Sequence, residues 1–425
     1  TGIACSEGVY LGGSERVEKG DLAGVVGHYM VLASPEVNCA VLETARGAVL
    51  TMGFGFDHCD VSVCLNVTAD HLEECGIDSV EQMAEVKRSI ASRARRAVVL
   101  NADDPHCLSM LPFPDTERTC LVSVRRSVQS LGGPGTAGEL FAVIERIDGE
   151  DWAVLYDGAE QLPLAPVSSI PAAFGGMAEY NLVNVLHACA ACYLAGVSPD
   201  TVREGITCFE MSFENPPGRL NFHDSLPFVF VLDYAHNPDG IARFCAFIDQ
   251  VPVAGRRIVA FSAAGYNPDE TIRANAAAAA GHFDLYWCYN FPRNIQQHHY
   301  RVPETLRESL LQCGVPGARV NRAGTGLAAL DASLAVARVG DLVLRYTYPG
   351  YTGLEPRVVH NSTGDVRGPP GTVVEVTARS ADPVEASGLV AYEQRLEATT
   401  GPDGRSITGQ FTVGAQEGSY HLVLY

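Results

Sequence analysis

The sequence contains very little lysine. Of the 30 basic residues in the 425-residue chain, only Lys19 and Lys87 are lysine, and all others are arginine. Arginine keeps its charge at any accessible pH, whereas a desolvated lysine can lose its proton and become a nucleophilic amine. A surviving lysine can therefore mark a position that arginine cannot fill, and the neighbours of Lys87 make it the candidate. Chance survival in an arginine-biased genome is the alternative, which we favour for Lys19.

The sequence also lacks a Walker A loop, the strongest short signal for bound nucleotide phosphates. No Gly-Lys dipeptide occurs anywhere in the chain. The sequence opens at Thr1 rather than at methionine, within residues 1–4 that have the composition of a strand. We therefore expect a fragment or a trimmed product of a longer protein, in which a missing loop is weak evidence.

Other absences restrict the class of protein. No apolar run approaches the roughly 20 residues needed to cross a bilayer, and the net charge of −20 argues against a nucleic-acid partner. The 13 cysteines are scattered, and the single Cys-x-x-Cys, Cys189 with Cys192, has no second pair at zinc spacing. We predict reduced cysteines in a cytoplasmic protein, and we expect a homo-oligomer.

Apolar strand-like segments alternate with helical segments through most of the chain, which is typical of parallel α/β sheets. Residues 119–164 instead resemble an antiparallel β-insert, and Pro216-Pro217-Gly218 is a breaker cluster typical of a domain junction. A helix is expected over residues 79–96 with Asp78 as its N-cap. We predict an α/β domain at 1–214, an open-sheet, Rossmann-like α/β domain at 215–354 and a small all-β appendage at 355–425, in which residues 391–398 form one strand.

Charged side chains follow two predicted strands of the first domain. Glu43 ends the strand at residues 37–42, and Asp70-His71 follows the strand at residues 61–67. Nucleotides and Mg²⁺ gather where parallel strands end, and Mg²⁺ prefers hard oxygen ligands. We predict that Glu43 and His71 share one sheet edge and hold a metal or phosphate. A capping or salt-bridged glutamate and a hydrogen-bonded loop histidine are the alternatives.

The second domain carries a comparable group of polar residues. Asp233 follows the strand at residues 228–232, where it can accept a ribose hydroxyl or hold a metal-bound water. His236 and Asn237 come next, and Asn237-Pro238 opens a helix whose N-terminus favours an anion. Arg219 lies at the domain junction, where it can clamp a phosphate. Ordinary capping and an interdomain salt bridge are the alternative explanations.

Together these motifs resemble the Mur ligase superfamily, and within it the C-terminal, Mur-like half of the cyanophycin synthetase family. The resemblance covers about residues 1–350, with motifs in the family's order and spacing. The matching segments are residues 1–21, 41–47, 55–61, 66–72, 84–87, 99–105, 180–185, 217–221 and 233–240. The resemblance implies a central ATPase-type domain, with a parallel sheet and an antiparallel insert, followed by a C-terminal Rossmann-like domain.

In that family, ATP phosphorylates a carboxylate, and an amine then attacks the acyl phosphate to form an amide. The resemblance implies that Glu43 and His71 bind Mg²⁺ and that Lys87 becomes carbamylated and supports a second Mg²⁺. It further implies Asn181 near the adenine, Arg219 on the phosphates, Asp233 near the ribose or the second-domain face of ATP, and His236 and Asn237 beside the reacting groups. The implied substrates are arginine and an acidic peptide-like polymer.

The sequence departs from the family in three places. The phosphate-binding loop expected before Thr1 is missing, as is the aspartate-adding ATP-grasp half that normally precedes this region. The family's Gly-Asp-Arg-Arg loop appears here as Gly265-Tyr266-Asn267-Pro268. A catalytically impaired module that serves as a scaffold or binding domain is therefore the main alternative. A ligase acting on another acidic polymer or on folate ranks third.

Overall fold

The computed structural model describes residues 1–12, 15–69, 75–133, 139–212, 218–223, 226–265, 267–291, 294, 299–339 and 342–346, with five strands between residues 373 and 424. The chain divides into two compact units, residues 1–354 and residues 355–425. A further boundary at residue 214 stays a prediction. Among the described residues, no helix is long and apolar enough to cross a membrane.

The first unit opens with a four-stranded sheet in the order β3-β2-β1-β4. Its elements are β1 (Gly2–Cys5), β2 (Gly8–Leu11), β3 (Glu15–Lys19), α1 (Val25–Leu32), β4 (Ala40–Leu42) and α2 (Arg46–Met52). β1 to β3 form an antiparallel meander, and β4 pairs with β1 in parallel. Val31 on α1 packs against Ala4 and Val9, which forms a small core.

A six-stranded sheet follows, in the order β10-β9-β8-β7-β6-β5. Its strands are β5 (Cys59–Cys64), β6 (Ala94–Asn101), β7 (Arg118–Ser123), β8 (Glu139–Ile147), β9 (Glu150–Asp157) and β10 (Glu160–Pro166). Neighbours from β5 to β8 are parallel, and β8 to β10 are antiparallel. The prediction that residues 119–124 belong to the antiparallel insert is wrong, because the crossover after β6 returns the chain as a parallel strand.

Four helices accompany this sheet: α3 (Val80–Ala91), α4 (Pro105–Leu108), α5 (Glu179–Leu194) and α6 (Pro199–Cys208). Alternate residues of β6 enter two different cores. Ala97 and Val99 pack with Leu186 of α5, whereas Val98 and Leu100 pack with residues of α3 and α4. Burial on both faces is expected of a parallel strand covered by helices, and it explains the continuous apolar run in this strand.

The predicted helix over residues 79–96 is wrong at both ends. Ser79, not Asp78, is the N-cap, because its hydroxyl accepts a hydrogen bond from the Gln82 N–H at 3.2 Å. The helix stops at Ala91 and β6 begins at Ala94, so the arginines between residues 93 and 96 introduce a strand rather than complete a helix.

A second six-stranded sheet completes the first unit, in the order β11-β12-β16-β13-β14-β15. Its strands are β11 (Asn221–His223), β12 (Val229–Asp233), β13 (Arg257–Phe261), β14 (Leu285–Tyr289), β15 (Val320–Ala323) and β16 (Leu342–Tyr346). Its helices are α7 (Pro238–Gln250), α8 (Asp269–Ala279), α9 (Val302–Gln312) and α10 (Gly326–Val336). All strands are parallel except the edge strand β11. This is an open, Rossmann-like sheet whose core includes Phe244, Phe247 and Tyr286.

The second unit contributes a five-stranded antiparallel sheet in the order β17-β20-β19-β18-β21. Its strands are β17 (Val373–Arg379), β18 (Ser387–Ala391), β19 (Gln394–Thr400), β20 (Ser406–Thr412) and β21 (Tyr420–Leu424). The single strand predicted at residues 391–398 is wrong. The chain reverses there, so that Ala391 pairs with Gln394 across two antiparallel strands.

Candidate functional site

A buried aspartate organises the carboxyl end of β12. Asp233 accepts hydrogen bonds from the N–H of Leu220 at 2.9 Å and from the N–H of Ala235 at 2.8 Å. Burial raises the pKa of this carboxyl, while the backbone N–H groups and the positive charge of Arg219 oppose the rise. Asp233 thereby ties the segment before β11 to the loop after β12, which places both segments at one edge of the sheet.

The turn that carries Arg219 is held by Asn221. This fully buried amide accepts from the Gly218 N–H at 2.5 Å and donates to the carbonyl oxygens of Ser212 and Arg219, at 2.6 and 3.1 Å. Leu220 and Gly218 both adopt positive φ, 47° and 75°, so the turn is tight. The guanidinium carbon of Arg219 lies 4.4 Å from the ring centre of Tyr234, a cation–π contact that fixes its direction.

The loop after Asp233 places the predicted His236 and Asn237. The rings of Tyr234 and His236 lie 4.7 Å apart, and Asn275 of α8 donates to the His236 carbonyl at 3.0 Å. The Asn237 side chain accepts from the Gly240 N–H at 2.8 Å and is the N-cap of α7, with Pro238 in the first turn. The capping role expected of Asn237 is therefore present in the structure.

Tyr180 and Asn181 begin α5 near this group. Burial raises the pKa of the Tyr180 hydroxyl, with the negative charge of Asp233 as the next cause, and this hydroxyl has no hydrogen-bond partner among the described residues. The Asn181 amide donates to the Ala172 carbonyl at 2.8 Å. Asn181 therefore secures the segment before α5.

Glu43 directly follows β4 of the first sheet. Its carboxylate accepts from the Ser6 N–H at 2.8 Å, and its carbonyl lies 2.8 Å from Nε2 of the buried His28. Burial raises the pKa of the neighbouring Glu7, Arg219 opposes this rise, and Glu43 adds to it. Glu7 thus places the Glu43 region within electrostatic reach of Arg219.

Lys87 lies on α3, next to β5 of the first six-stranded sheet. Its ammonium donates to the Asn66 carbonyl at 2.7 Å. The same loop is held by Asn101, which donates to the Leu65 carbonyl at 2.9 Å, and by Asp104, which accepts from the Val67 N–H at 2.7 Å. Three chain segments therefore converge on the loop that leads toward residue 70.

The structure bears only partly on the predicted metal site. His71 and Asp70 lie outside the described residues, so their role stays a prediction. The expectation that Glu43 and His71 follow strands of one sheet is wrong, because β4 belongs to the four-stranded sheet and β5 to the six-stranded sheet. Within the described ranges, no group of three or more His, Cys, Asp or Glu side chains could hold a metal ion.

Sequence reasoning missed three residues of the junction: Glu7, Tyr180 and Asn221. The only sequence feature shared by Glu7 and Glu43 is that each follows a strand, and the parallel pairing of β1 with β4 that relates them becomes visible in the structure. Tyr180 and Asn221 lie in segments that match the family, residues 180–185 and 217–221, but no local signal indicated a role for Asn221, whose partners lie on both sides of residues 213–217.

Comparisons with known proteins agree with this architecture. Residues 218–345 match the family model of the Mur ligase glutamate ligase domain. The cyanophycin synthetase of Crocosphaera subtropica is 34% identical over 285 residues, which are 67% of this chain and 32% of that protein. The Synechocystis cyanophycin synthetase is 35% identical over 249 residues, which are 58% of this chain and 28% of that protein. The chain thus spans about a third of the length of these curated relatives.

Solved structures share the fold at low sequence identity. Escherichia coli FolC in complex with DHPP and ADP has a TM-score of 0.54 at 18% identity, over 81% of this chain and 78% of that chain. The folylpolyglutamate synthase of Mycobacterium tuberculosis complexed with ADP has a TM-score of 0.52 at 18% identity, over 75% of this chain and 67% of that chain. The predicted α/β fold class and the predicted resemblance are confirmed.

Proposed function

Since the chain is a relative of the Mur ligases and of the cyanophycin synthetases, we propose that it is an ATP-dependent amide ligase that acts through an acyl phosphate. The finer proposal is the arginine-adding module of a cyanophycin-type synthetase, with an acidic peptide-like polymer as acceptor. The observation that supports the ligase proposal is the junction at residue 218, where the family match begins. There one buried aspartate and one buried asparagine hold an arginine at a sheet edge.

Each junction residue has a role in this proposal. Arg219 would contact phosphate oxygens, because its guanidinium is directed by the Tyr234 ring and carries a fixed charge. Asp233 would hold the ribose or the second-domain face of ATP. Asn181 would lie near the adenine, and His236 and Asn237 beside the reacting groups at the start of α7, where the helix dipole favours negative charge.

Among the described residues, Glu43 offers one oriented carboxylate that could serve as a single Mg²⁺ ligand. The Ser6 N–H occupies one carboxylate oxygen, which orients the group and leaves hard oxygen lone pairs for a cation. His71 is the proposed second ligand. When bound, Mg²⁺ would neutralise charge on the phosphates. Lys87 would be carbamylated, and carbamylation requires the neutral amine, a form that a lysine can reach and an arginine cannot.

Exchange of Lys87 tests the carbamate assignment. In the Lys87→Arg protein, ligation is expected to fall by about 100-fold or more, the upper range for loss of a group that supports a metal site. Lys19→Arg is the matched control, because it changes the only other lysine, on the exposed strand β3. Carbamylation itself can be read without activity, as a carbamate carbon signal from ¹³C-bicarbonate that Lys87→Arg loses and Lys19→Arg keeps. Wild-type turnover by Lys87→Arg would contradict the assignment.

The ligase proposal itself is tested by phosphate release from Mg-ATP by this chain. Release is expected to require both arginine and a short aspartate-backbone primer that carries arginine side groups. Release with another amino acid would keep the ligase and change its substrate. If the folded chain releases no phosphate but binds the primer, the scaffold alternative is favoured. That alternative is supported by the Gly265-Tyr266-Asn267-Pro268 loop. The homo-oligomer and cytoplasmic location stay predictions.

A further inference from the structure

Two cysteines face each other beside the six-stranded sheet formed by β5 to β10. Cys64 ends β5 and Cys107 lies in α4. Their sulfur atoms are 3.8 Å apart, with exposed fractions of only 8% for Cys64 and 0% for Cys107. Because a disulfide bond is about 2.05 Å long, the two sulfurs must approach by less than 2 Å to form one. The two residues are separated by 43 positions in sequence, so a bond would link two distinct elements.

The surroundings make the two thiols unequal. The Cys107 thiol donates toward the Cys64 sulfur, which lowers the pKa of Cys64 and raises the pKa of Cys107. The positive charge of Lys87 also lowers the pKa of Cys64, while burial and the carboxylate of Asp104 oppose this. Cys64 is the more exposed of the two residues and its sulfur accepts the hydrogen bond from Cys107, so Cys64 is the attacking sulfur and Cys107 the sulfur that resolves the intermediate.

We propose that Cys64 and Cys107 form a redox-responsive pair that a two-electron oxidant of the peroxide class converts to a disulfide. The Cys64 thiolate attacks one peroxide oxygen, the O–O bond breaks, and the departing hydroxide takes up a proton as water. The Cys107 sulfur then attacks the sulfenic sulfur, the S–O bond breaks, and a second water leaves with the Cys107 proton. Two thiols are oxidised, and one hydrogen peroxide is reduced to two waters.

The pair is connected to Lys87 by a short hydrogen-bonded path. Asn66, two residues after Cys64, provides the carbonyl that Lys87 contacts at 2.7 Å. Asp104 accepts from the Val67 N–H and also from the Cys107 N–H at 3.1 Å. Drawing the two sulfurs together therefore displaces two contacts of the loop beside Lys87, the Asn66 carbonyl that accepts from Lys87 and the Asp104 carboxylate that accepts from the Val67 N–H. This consequence rests on the proposed function, in which Lys87 is required; the disulfide itself does not.

The first experiment maps the disulfide in the full wild-type chain. The folded protein is treated with graded hydrogen peroxide, quenched in acid, alkylated and digested without reductant. The expected product is a peptide pair joined through Cys64 and Cys107, which dithiothreitol separates. Recovery of both cysteines as alkylated thiols, after the exposed Cys313 has been oxidised, would overturn the proposal. A disulfide from Cys64 to any other cysteine would overturn it as well.

Variants separate the two steps. Cys107→Ala is expected to stop at the sulfenic acid of Cys64, which dimedone traps, and Cys313→Ser serves as the control that still forms the linked pair. Failure of Cys107→Ala to yield trapped Cys64 would contradict the order of attack. The wild-type mapping does not depend on whether either variant folds.

The coupling to Lys87 has a readout that needs no ligase activity. The chain contains only Lys19 and Lys87, so mass spectrometry can follow acetylation of both amines in one sample. Oxidation is expected to change the ratio of Lys87 to Lys19 labelling by a factor of about 2 to 10, the range for loss of one hydrogen bond. An unchanged ratio in fully linked protein would refute the coupling. Absence of ligase activity in reduced protein would refute the proposed function alone.

Discussion

His187 makes the stability of the region built on the sheet of β5 to β10 sensitive to mild acid. It lies in the middle of α5 with only 1% of its surface exposed. Its Nδ1 lies 2.7 Å from the Val183 carbonyl, so Nδ1 carries the proton of the neutral ring. Nε2 is buried and has no hydrogen-bond partner in the described part of the chain. Protonation would thus place an unpaired charged N–H in an apolar core.

The size of the effect follows from the difference between the two pKa values. Burial lowers the pKa of His187 from 6.5 to about 4, against opposing contributions from the Val183 carbonyl and the Asp103 charge. Above pH 6.5 neither state is protonated, and the contribution to stability is complete. Between pH 6.5 and 4 only the unfolded state binds the proton, so stability falls as the pH falls. Linkage gives a loss of about 2 kcal/mol at pH 5 and about 3 kcal/mol below pH 4.

Urea unfolding at pH 7.5 and pH 5.0 measures this loss. Trp152 lies in β9 of the same sheet, and a Trp287→Phe background leaves it as the only tryptophan in the chain. The wild type is expected to lose about 2 kcal/mol more than His187→Gln, which keeps a donor but cannot titrate. His58→Gln, an exposed histidine, is the control and should behave as the wild type. Equal losses in wild type and His187→Gln would refute the reasoning.

Three further predictions concern stability. Asn221→Ala removes three hydrogen bonds that hold the Arg219 turn from a fully buried site. It should lower the free energy of unfolding by about 1–3 kcal/mol or more, which urea denaturation of the protein measures. Gly8→Ala should also destabilise, because φ is 145° and a Cβ would lie 2.1 Å from the Glu18 carbonyl oxygen. Gly205→Ala, in open space within α6, should instead stabilise by about 0.5–1 kcal/mol, and a stabilised Gly8→Ala would contradict the clash.

Local patterns predicted the Rossmann-like sheet well because its strands are short apolar runs between breakers. Such runs predict strands at residues 257–261 and 285–289, and β13 and β14 have these bounds in the structure. Their neighbours do not need to be known, since a central parallel strand is apolar on both faces. The first two sheets were harder to predict. Whether β4 and β5 share a sheet depends on pairing, and pairing leaves little trace in a three-residue strand.

The residues of the candidate site differ in the same way: some were predictable from local sequence signals and others were not. Asp233 and Asn237 were predictable because a strand end and a helix start are local signals, and the structure gives them capping and anchoring contacts. The roles of Asn221 and His187 were not, because their environments are made by packing. A buried histidine in an alanine-rich helix has the same sequence signature as an exposed one, until α5 is placed against the sheet.

Lys87 and Arg88 are neighbours on α3, and both donate hydrogen bonds to backbone carbonyl groups. Arg88 donates from Nε to the Met110 carbonyl at 2.8 Å and from Nη2 to the Pro112 carbonyl at 3.1 Å, so its forked guanidinium holds two backbone groups. Lys87, one position earlier, makes a single hydrogen bond within the described part of the chain, to the Asn66 carbonyl. An arginine can perform that structural task at least as well, as Arg88 demonstrates on the same helix. A structural role alone therefore does not explain a lysine at position 87 in a chain that uses arginine almost everywhere else. The property that arginine lacks is a neutral, nucleophilic amine, and Lys87→Arg isolates that property because it can preserve the carbonyl contact.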